Sequence, residues 1–119
     1  MKQNGSTIVH QKIVHDILMV LGASKYMRLW KNVTGAIKIE TRFINFGLKG
    51  SADISGILCD GPRIEIEVKS GNAVQSEQQK KFQKMIELFK GIYILARSKD
   101  DAVNQLQEIC RLRGIDLSR

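Results

Sequence analysis

Apolar residues recur at helical spacing in three segments of the chain, and these segments predict three amphipathic helices. The first spans residues 7–21, with Ser6 or Thr7 as its cap and Gly22 at its end. The second spans residues 75–90, and the third runs from Ser98 to Gly114 with Asp101 at capping-box spacing. The expected buried faces are Val9, Ile13, Ile17 and Leu21, flanked by Val14 and Leu18; Phe82, Met85, Ile86 and Phe89; and Val103, Leu106, Ile109 and Cys110.

Segments rich in β-branched and aromatic residues predict strands between these helices. They cover residues 26–33, 36–44, 52–59 and 63–69, with turn signals at Thr34-Gly35 and Asp60-Gly61. A near-continuous apolar run at residues 92–96 predicts a strand that is covered on both faces. The resulting α-β-β-β-β-α-β-α order predicts an α/β fold with a mixed sheet flanked by helices, in which the last two strands run parallel.

Length and composition favour one domain, residues 1–119, with its own core, since 43% of the residues are hydrophobic. The two cysteines, Cys59 and Cys110, lie far apart in apolar runs, and they are expected to be buried free thiols in a reducing cytoplasm. The longest uncharged apolar run, residues 17–23, is far shorter than the roughly 20 residues of a membrane span. We therefore expect a cytoplasmic protein with no membrane contact.

The charge balance points to a polyanionic partner. The chain carries 19 Lys and Arg residues against 12 Asp and Glu residues, a net charge of +7. Nucleic acid is the commonest partner of such a domain. Many small basic proteins do not bind nucleic acid, however, so composition alone does not decide whether this one does. Aromatic residues are only 6% of the chain, which argues against a base-stacking platform for single strands.

One strand has the residue types of a metal-dependent hydrolase. Residues 63–69 alternate, so that Glu65, Glu67 and Lys69 share one face. Alternation alone favours a solvent-exposed charged face. The alternative is a site for a hard cation, because a hairpin would bring Asp53 close to Glu67, and two carboxylates suffice for Mg²⁺. Lys69 would then orient or deprotonate the attacking water, or neutralise charge on the phosphate.

Several other polar residues have two interpretations each. Gln75, Gln78 and Gln79 open the second helix, and some of these amides either face inward toward the end of the Lys69 strand or belong to a first turn that frays into water. Off the apolar stripe lie Lys80, Lys81 and Lys84, which form a solvated face or contact phosphates. His10, His15 and Trp30 have no catalytic partner in the sequence, and Trp30 is expected in the core.

Five stretches of the chain together resemble the virus-type replication-repair nuclease (VRR-NUC) domain of the PD-(D/E)xK superfamily. They are WKNVTG at 30–35, GLKGSADISG at 47–56, EIEVKSG at 65–71, SEQQKKF at 76–82 and ARSKDD at 96–101. The resemblance runs in order along nearly the whole chain. It implies a restriction-endonuclease-like fold and phosphodiester cleavage that depends on Mg²⁺ or Mn²⁺.

The resemblance also implies roles for individual residues. Asp53 and Glu67 would be metal ligands together with the backbone carbonyl of Val68, Lys69 would be the catalytic lysine, and Gln79 would be the family's helix glutamine. Stand-alone members of this size resemble phage or prophage proteins that act in a bacterial host as homodimers on branched DNA such as four-way junctions. No organic cofactor is implied.

The chain departs from the family pattern at two places. Ala52 replaces the proline of the motif, and no carboxylate stands at residues 6–10, where the family has a glutamate on its first helix. His10 or Gln11 would substitute for that glutamate, or Glu40 or Asp16 would reach into the site; one metal is then easier to support than two. We therefore expect a DNA endonuclease that contacts DNA through Lys49, Lys80, Lys81 and Lys84. The alternatives are a non-catalytic DNA-binding module with the same fold and an RNA nuclease.

Overall fold

The described chain contains three helices and six strands in the order α-β-β-β-β-β-α-β-α, so five strands follow one another between the first two helices. The structure is a computed structural model that describes residues 5–33, 35–46 and 48–118. The elements are α1 (Gly5–Leu21), β1 (Met27–Lys31), β2 (Gly35–Ile39), β3 (Arg42–Phe46), β4 (Ile54–Leu58), β5 (Arg63–Val68), α2 (Glu77–Leu88), β6 (Ile92–Ala96) and α3 (Lys99–Leu112).

The central sheet is mixed, as predicted, with the strand order β1-β4-β5-β6. β4 is antiparallel to both β1 and β5, whereas β5 and β6 are parallel. The turn between β4 and β5 uses the predicted Asp60-Gly61 pair; Gly61 has φ +114° and donates its N–H to the carbonyl of Leu58 at 2.9 Å. The expected α/β class is confirmed at this level.

Helices cover both faces of the sheet. α1 and α3 bury one face, and residues of α1, α3 and every sheet strand build that core: Val14, Ile17, Leu21, Met27, Ile54, Leu58, Ile64, Ile66, Val68, Ile92, Ile94, Ala96, Ala102, Leu106 and Cys110. α2 covers the other face with Phe82 and Ile86, which pack with Ala52, Met85 and Tyr93. Each fully buried aliphatic side chain contributes roughly 1.5–3 kcal/mol. Because both faces are covered, polar residues on either face of β5 are removed from solvent.

One predicted strand was wrong. Residues 36–44 do not form a single strand but the hairpin of β2 and β3, which constitutes a separate two-stranded sheet. Glu40 in its turn adopts φ +57°, a conformation that glycine or asparagine usually provides, so the sequence carried no turn signal there. A turn was also predicted at Thr34-Gly35. Gly35 is the first residue of β2, and Thr34 lies outside the described residues.

The ends of the helices follow the sequence only in part. α1 begins at Gly5, so neither Ser6 nor Thr7 is its cap. Ser98 caps α3 as predicted by accepting the Asp101 N–H, but the Asp101 carboxylate accepts the N–H of Arg97 and not that of Ser98. Gly114 ends α3 with φ +78°.

Four residues that were expected to be buried are exposed. Trp30, 47% exposed, lies on edge strand β1 on the face opposite Met27, which points into the core. Phe89 is 74% exposed because α2 ends at Leu88, before the apolar stripe reaches it. Val9 lies five residues before Val14, on another side of α1, and Cys59 lies in the turn after β4. Among the helices of the described ranges, none is long and apolar enough to cross a membrane.

Candidate active site

Two carboxylates converge where the β4–β5 hairpin opens. Ile54 pairs with Ile66, so Asp53 and Glu67 occupy the next position of the register. The Asp53 carboxylate accepts the N–H of Val68 on Oδ2 at 2.8 Å, and its charge contributes to raising the pKa of Glu67. The proximity that the hairpin predicted is therefore observed.

Glu67 is buried in an environment that opposes its ionisation. The residue is 3% exposed, and burial, reinforced by the neighbouring Asp53 charge, raises the pKa of Glu67 to about 8. Oε1 accepts from Gln79 Nε2 at 3.2 Å and lies 3.7 Å from Lys69 Nζ. Among the described residues, the buried Oε2 accepts no hydrogen bond, and Glu67 shares a side-chain hydrogen bond with Asp53 only when one of the two carboxyl groups is protonated. A buried carboxylate oxygen without a donor is rare in native proteins, and a bound cation would satisfy it.

Glu65, on the same strand face, provides the contrast. It is also buried, and burial raises its pKa, but it accepts from Ser55 Oγ at 2.5 Å and from Arg63 at 3.2 Å. The simple interpretation of an exposed charged face was therefore wrong, because α2 covers this side of the sheet. Of the two glutamates, only Glu67 has an oxygen left without a partner.

Gln79 links the first turn of α2 to this carboxylate. Its Oε1 accepts the N–H of Ser76 at 2.9 Å, and its own N–H donates to Ser76 Oγ at 3.1 Å, which completes a capping box. Its Nε2 meanwhile donates to Glu67. For Gln79, the prediction that the amide faces inward is therefore confirmed, and the alternative of a first turn that frays into water is wrong. The same side chain fixes the helix start and one Glu67 oxygen.

Lys69 and Val68 complete the predicted set. Val68 is the last residue of β5 and stands between Glu67 and Lys69 in the sequence. Lys69 is held by its N–H bond to the carbonyl of Ala96 at 3.0 Å, and its side chain is only 15% exposed. Its ammonium group therefore approaches the carboxylates from a restricted position instead of sampling solvent.

α1 contributes His10, which was expected, as an alternative to Gln11, to substitute for the glutamate of the first helix. His10 Nε2 lies 3.2 Å from Asp53 Oδ2. Of the other candidates for the first-helix carboxylate, Asp16 pairs with Lys12 at 3.1 Å and Glu40 lies exposed in the β2–β3 turn. The signal in the sequence was weak: His10 precedes Val14 by four residues and so borders the buried stripe.

Asn32 fixes the backbone that carries Asp53. Its side-chain Nδ2 donates to Ser51 Oγ at 2.8 Å and to the Ala52 carbonyl at 3.0 Å, and its backbone N–H donates to the Asp53 carbonyl at 2.8 Å. Ala52, which stands where the family motif has proline, is buried. The loop before β4 is therefore held by hydrogen bonds on one side and by packing on the other.

Two cavities open beside the carboxylates, and His10 lines both. One, of about 240 Å³, is lined by Thr7, His10, Val68, Lys69, Ser70 and Ala73. The other, of about 160 Å³, is lined by His10, Gln11, Val14, Lys31, Asn32 and Asp53. Polar side chains line both cavities next to apolar surface, which forms the larger part of the first, so a charged ligand would be held there by a few polar groups.

Tyr93 was missed as a neighbour of the site, whereas Gln75 was among the amides expected to face inward. Tyr93 pairs with Glu65 in the parallel register, and its hydroxyl accepts from Gln75 Nε2 at 3.1 Å. Burial raises the pKa of Tyr93 to about 12, and the charges of the nearby carboxylates act in the same direction. Nothing in the apolar run at 92–96 revealed this, because the register between two parallel strands that a helix connects cannot be read from the sequence.

The predicted DNA-contacting lysines are all exposed, and Lys49 adjoins α2. Gly50, with φ +79°, packs so tightly that an added Cβ would lie 2.5 Å from the Gln78 carbonyl oxygen. The loop carrying Lys49 thus contacts the first turn of the helix that carries the other three lysines. Lys80 forms an ion pair with Glu77 at 3.3 Å, whereas Lys81 and Lys84 have no ion pair within the described chain.

The set of amino-acid ligands is small. Within residues 5–33, 35–46 and 48–118, no three His, Cys, Asp or Glu side chains converge as a metal-binding group. The chain matches no protein-family model, no curated protein and no solved structure. The geometry of the Asp53–Glu67–Lys69 group therefore has to carry the functional argument.

Proposed function

We propose that this protein is a metal-dependent DNA endonuclease with a restriction-endonuclease-like fold. The observation that carries the proposal is the buried Glu67, whose Oε2 has no partner although Asp53 and Lys69 lie beside it. A fold gains no stability from placing a buried carboxylate beside a second, partly buried one, so this pair favours a role in cation binding.

The residues present fit Mg²⁺ or Mn²⁺. Asp53, Glu67 and the carbonyl of Val68 would hold the ion, and hard cations of this kind take oxygen ligands and keep several waters. When bound, such an ion polarises a phosphoryl oxygen and makes its water a stronger nucleophile. The small protein ligand set favours one ion over two.

The surrounding side chains have separate tasks. Gln79 holds Oε1 of Glu67 by donating to it, which leaves Oε2 for the ion. The Lys69 ammonium, 3.7 Å from Glu67 Oε1, orients the attacking water and offsets the negative charge that develops on the phosphate. Its restricted exposure supports this positioning, because a fixed charge costs little reorganisation during the reaction.

The DNA would lie across the surface formed by Lys49, Lys80, Lys81 and Lys84. Attraction has to come from outside the site, because none of the carboxyl groups of Asp53, Glu65 and Glu67, ionised or protonated, provides a positive charge for phosphate before an ion is bound. The contact between Gly50 and Gln78 supports one continuous cationic surface beside the carboxylates. We further propose a homodimer, which would apply two such sites to one branched molecule such as a four-way junction.

Cleavage assays test the activity directly. Purified protein is incubated with linear, flapped and four-way-junction DNA and with RNA, in Mg²⁺, Mn²⁺ or EDTA, and its mass is measured by analytical ultracentrifugation. We expect metal-dependent cleavage of DNA, strongest on a branched substrate. Asp53→Asn and Glu67→Gln should each abolish it with the fold retained. Glu65→Gln is the matched control, since it alters an equally buried glutamate that already has partners, and it should retain cleavage.

A non-catalytic DNA-binding module is the second candidate. The absence of a third converging His, Cys, Asp or Glu side chain in the described residues favours it. Such a module would shift DNA equally in EDTA and in Mn²⁺ and would leave every substrate intact. Metal-dependent turnover that Glu67→Gln removes would eliminate this candidate.

A further inference from the structure

The Asp53 carboxylate is contacted by two elements, β5 and α1. The backbone N–H of Val68 reaches Asp53 Oδ2 from β5 at 2.8 Å, and His10 Nε2 reaches the same oxygen from α1 at 3.2 Å. Both of these hydrogen bonds therefore end on one oxygen, and the carboxyl group of Asp53 additionally contacts that of Glu67. Two donors on Oδ2 define the rotation of the carboxylate about its χ2 bond and leave Oδ1 for another ligand.

The position of His10 is itself constrained. Its side chain is 31% exposed, against 69% for His15 on the same helix, and it lines both cavities beside the carboxylates. α1 is held to the sheet by Val14 and Ile17, one and two turns further along the helix. An imidazole fixed by its helix in this way can restrict a carboxylate that is itself 26% exposed.

We propose that His10 is a positioning residue that holds the Asp53 carboxylate in the orientation required for metal binding. This inference rests on the proposed function, since it concerns the same Asp53–Glu67 site. Nε2–H is the donor and Oδ2 the acceptor, and the imidazole acts through Asp53 without contacting the ion. Partners of this kind, which orient a metal ligand, change metal affinity by about 10–100-fold when they are removed.

The substitution series separates positioning from direct ligation and from loss of folding. His10→Leu keeps much of the volume and removes the donor. His10→Gln places an amide N–H₂ at a reach similar to that of Nε2 and so preserves the donor without an imidazole. His15→Leu is the matched control, because it removes a histidine from the same helix at an exposed position.

Calorimetric titration of each metal-free variant with Mn²⁺ gives the first readout, and circular dichroism establishes that each is folded. We expect His10→Leu to weaken Mn²⁺ binding at least tenfold, with His10→Gln within about threefold of the wild type and His15→Leu unchanged. In cleavage assays, the His10→Leu defect should be restored by higher Mn²⁺, with KM for DNA unchanged. Equal loss in His10→Gln and His10→Leu would overturn positioning in favour of direct ligation.

A second readout needs neither metal nor activity. In metal-free wild-type protein, ¹H–¹⁵N spectra of the imidazole should show His10 as the Nε2–H tautomer. The Nδ1–H tautomer would overturn the inference, because Nε2 would then have no proton to donate. Wild-type protein that neither binds Mn²⁺ nor cleaves DNA would overturn the proposed function and the metal-related role of His10 with it, whereas loss confined to the His10 prediction leaves the function standing.

Discussion

Replacing Glu67 by glutamine should stabilise the metal-free protein while it destroys the proposed activity. The substitution keeps the size of the side chain and the Oε1 atom that Gln79 contacts. It replaces Oε2, which has no partner, by an N–H₂ group that can donate to the neighbouring Asp53 carboxylate. It also removes a charge that is buried beside another of the same sign.

The size of the gain follows from the pKa of Glu67. Burial and the Asp53 charge raise it from 4.5 to about 8, so the folded protein holds a proton that the unfolded chain releases above pH 4.5. Each pH unit in this window is equivalent to about 1.4 kcal/mol. The stability associated with the protonated carboxyl is complete below pH 4.5 and is lost as the pH rises through 8, roughly 3 kcal/mol by pH 7 and 5 kcal/mol above pH 8.

Urea unfolding in EDTA between pH 4 and 9 measures this quantity. The difference in unfolding free energy between Glu67→Gln and wild type should be close to its minimum at pH 4 and should grow to several kcal/mol in favour of the variant at pH 8–9. Glu77→Gln, an exposed change on α2, is the control and should show no comparable pH-dependent difference. A wild-type protein as stable as Glu67→Gln at pH 9 would refute the argument that burial disfavours the Glu67 charge.

Three further outcomes are expected. Lys69→Met should retain or strengthen Mn²⁺ binding, because a cation beside two carboxylates is removed, but should lower single-turnover cleavage by about 10²-fold or more; calorimetric loss of Mn²⁺ binding would instead make Lys69 structural. Neutralising Lys80, Lys81 and Lys84 together should lower the slope of log K for DNA binding against log salt concentration by roughly 1–3, with little change in the cleavage rate at saturating DNA. Neutralising the ion-paired residues Lys12, Lys99 and Arg111 is the control and should leave the slope unchanged. Gly50→Ala should destabilise the protein by about 1–3 kcal/mol more than Gly114→Ala in thermal or urea melts, since φ is nearly the same at both (+79° and +78°) but only position 50 would place its Cβ against Gln78; equal effects would show that the loop can move away from α2.

The candidate site was the part of the fold most accessible to the sequence, for a local reason. Asp60-Gly61 defines a tight turn, a tight turn sets the register, and the register places Asp53 beside Glu67. Alternation then assigns Glu67 and Lys69 to the face of Glu65. What alternation cannot report is the layer that covers this face, which depends on where α2 packs. The strand pattern alone therefore favoured an exposed charged face over the buried site that the structure shows.

The errors share a different cause. The turn at Glu40 is formed by a residue with no preference for the left-handed conformation, and Trp30 is exposed because it lies on the face of edge strand β1 opposite the core residue Met27. At the end of α2, Lys90 adopts the left-handed conformation at φ +70°, not the neighbouring glycine. Gly91 is instead required for close approach, since a Cβ there would lie 2.7 Å from Ile86 Cγ2. Each of these depends on tertiary contacts that a local pattern does not contain.

The placement of Gln79 explains how a chain of this size can keep two carboxylates together. Because the same amide completes the Ser76 capping box and donates to Glu67, the start of α2 and the orientation of Glu67 are not independent. The hairpin register fixes Asp53, the helix cap fixes Glu67, and Asn32 fixes the loop between β3 and β4. The two carboxyl groups are therefore held close together by hydrogen bonds and strand pairing that also stabilise the fold. An ion bound between them would relieve their repulsion without moving the backbone.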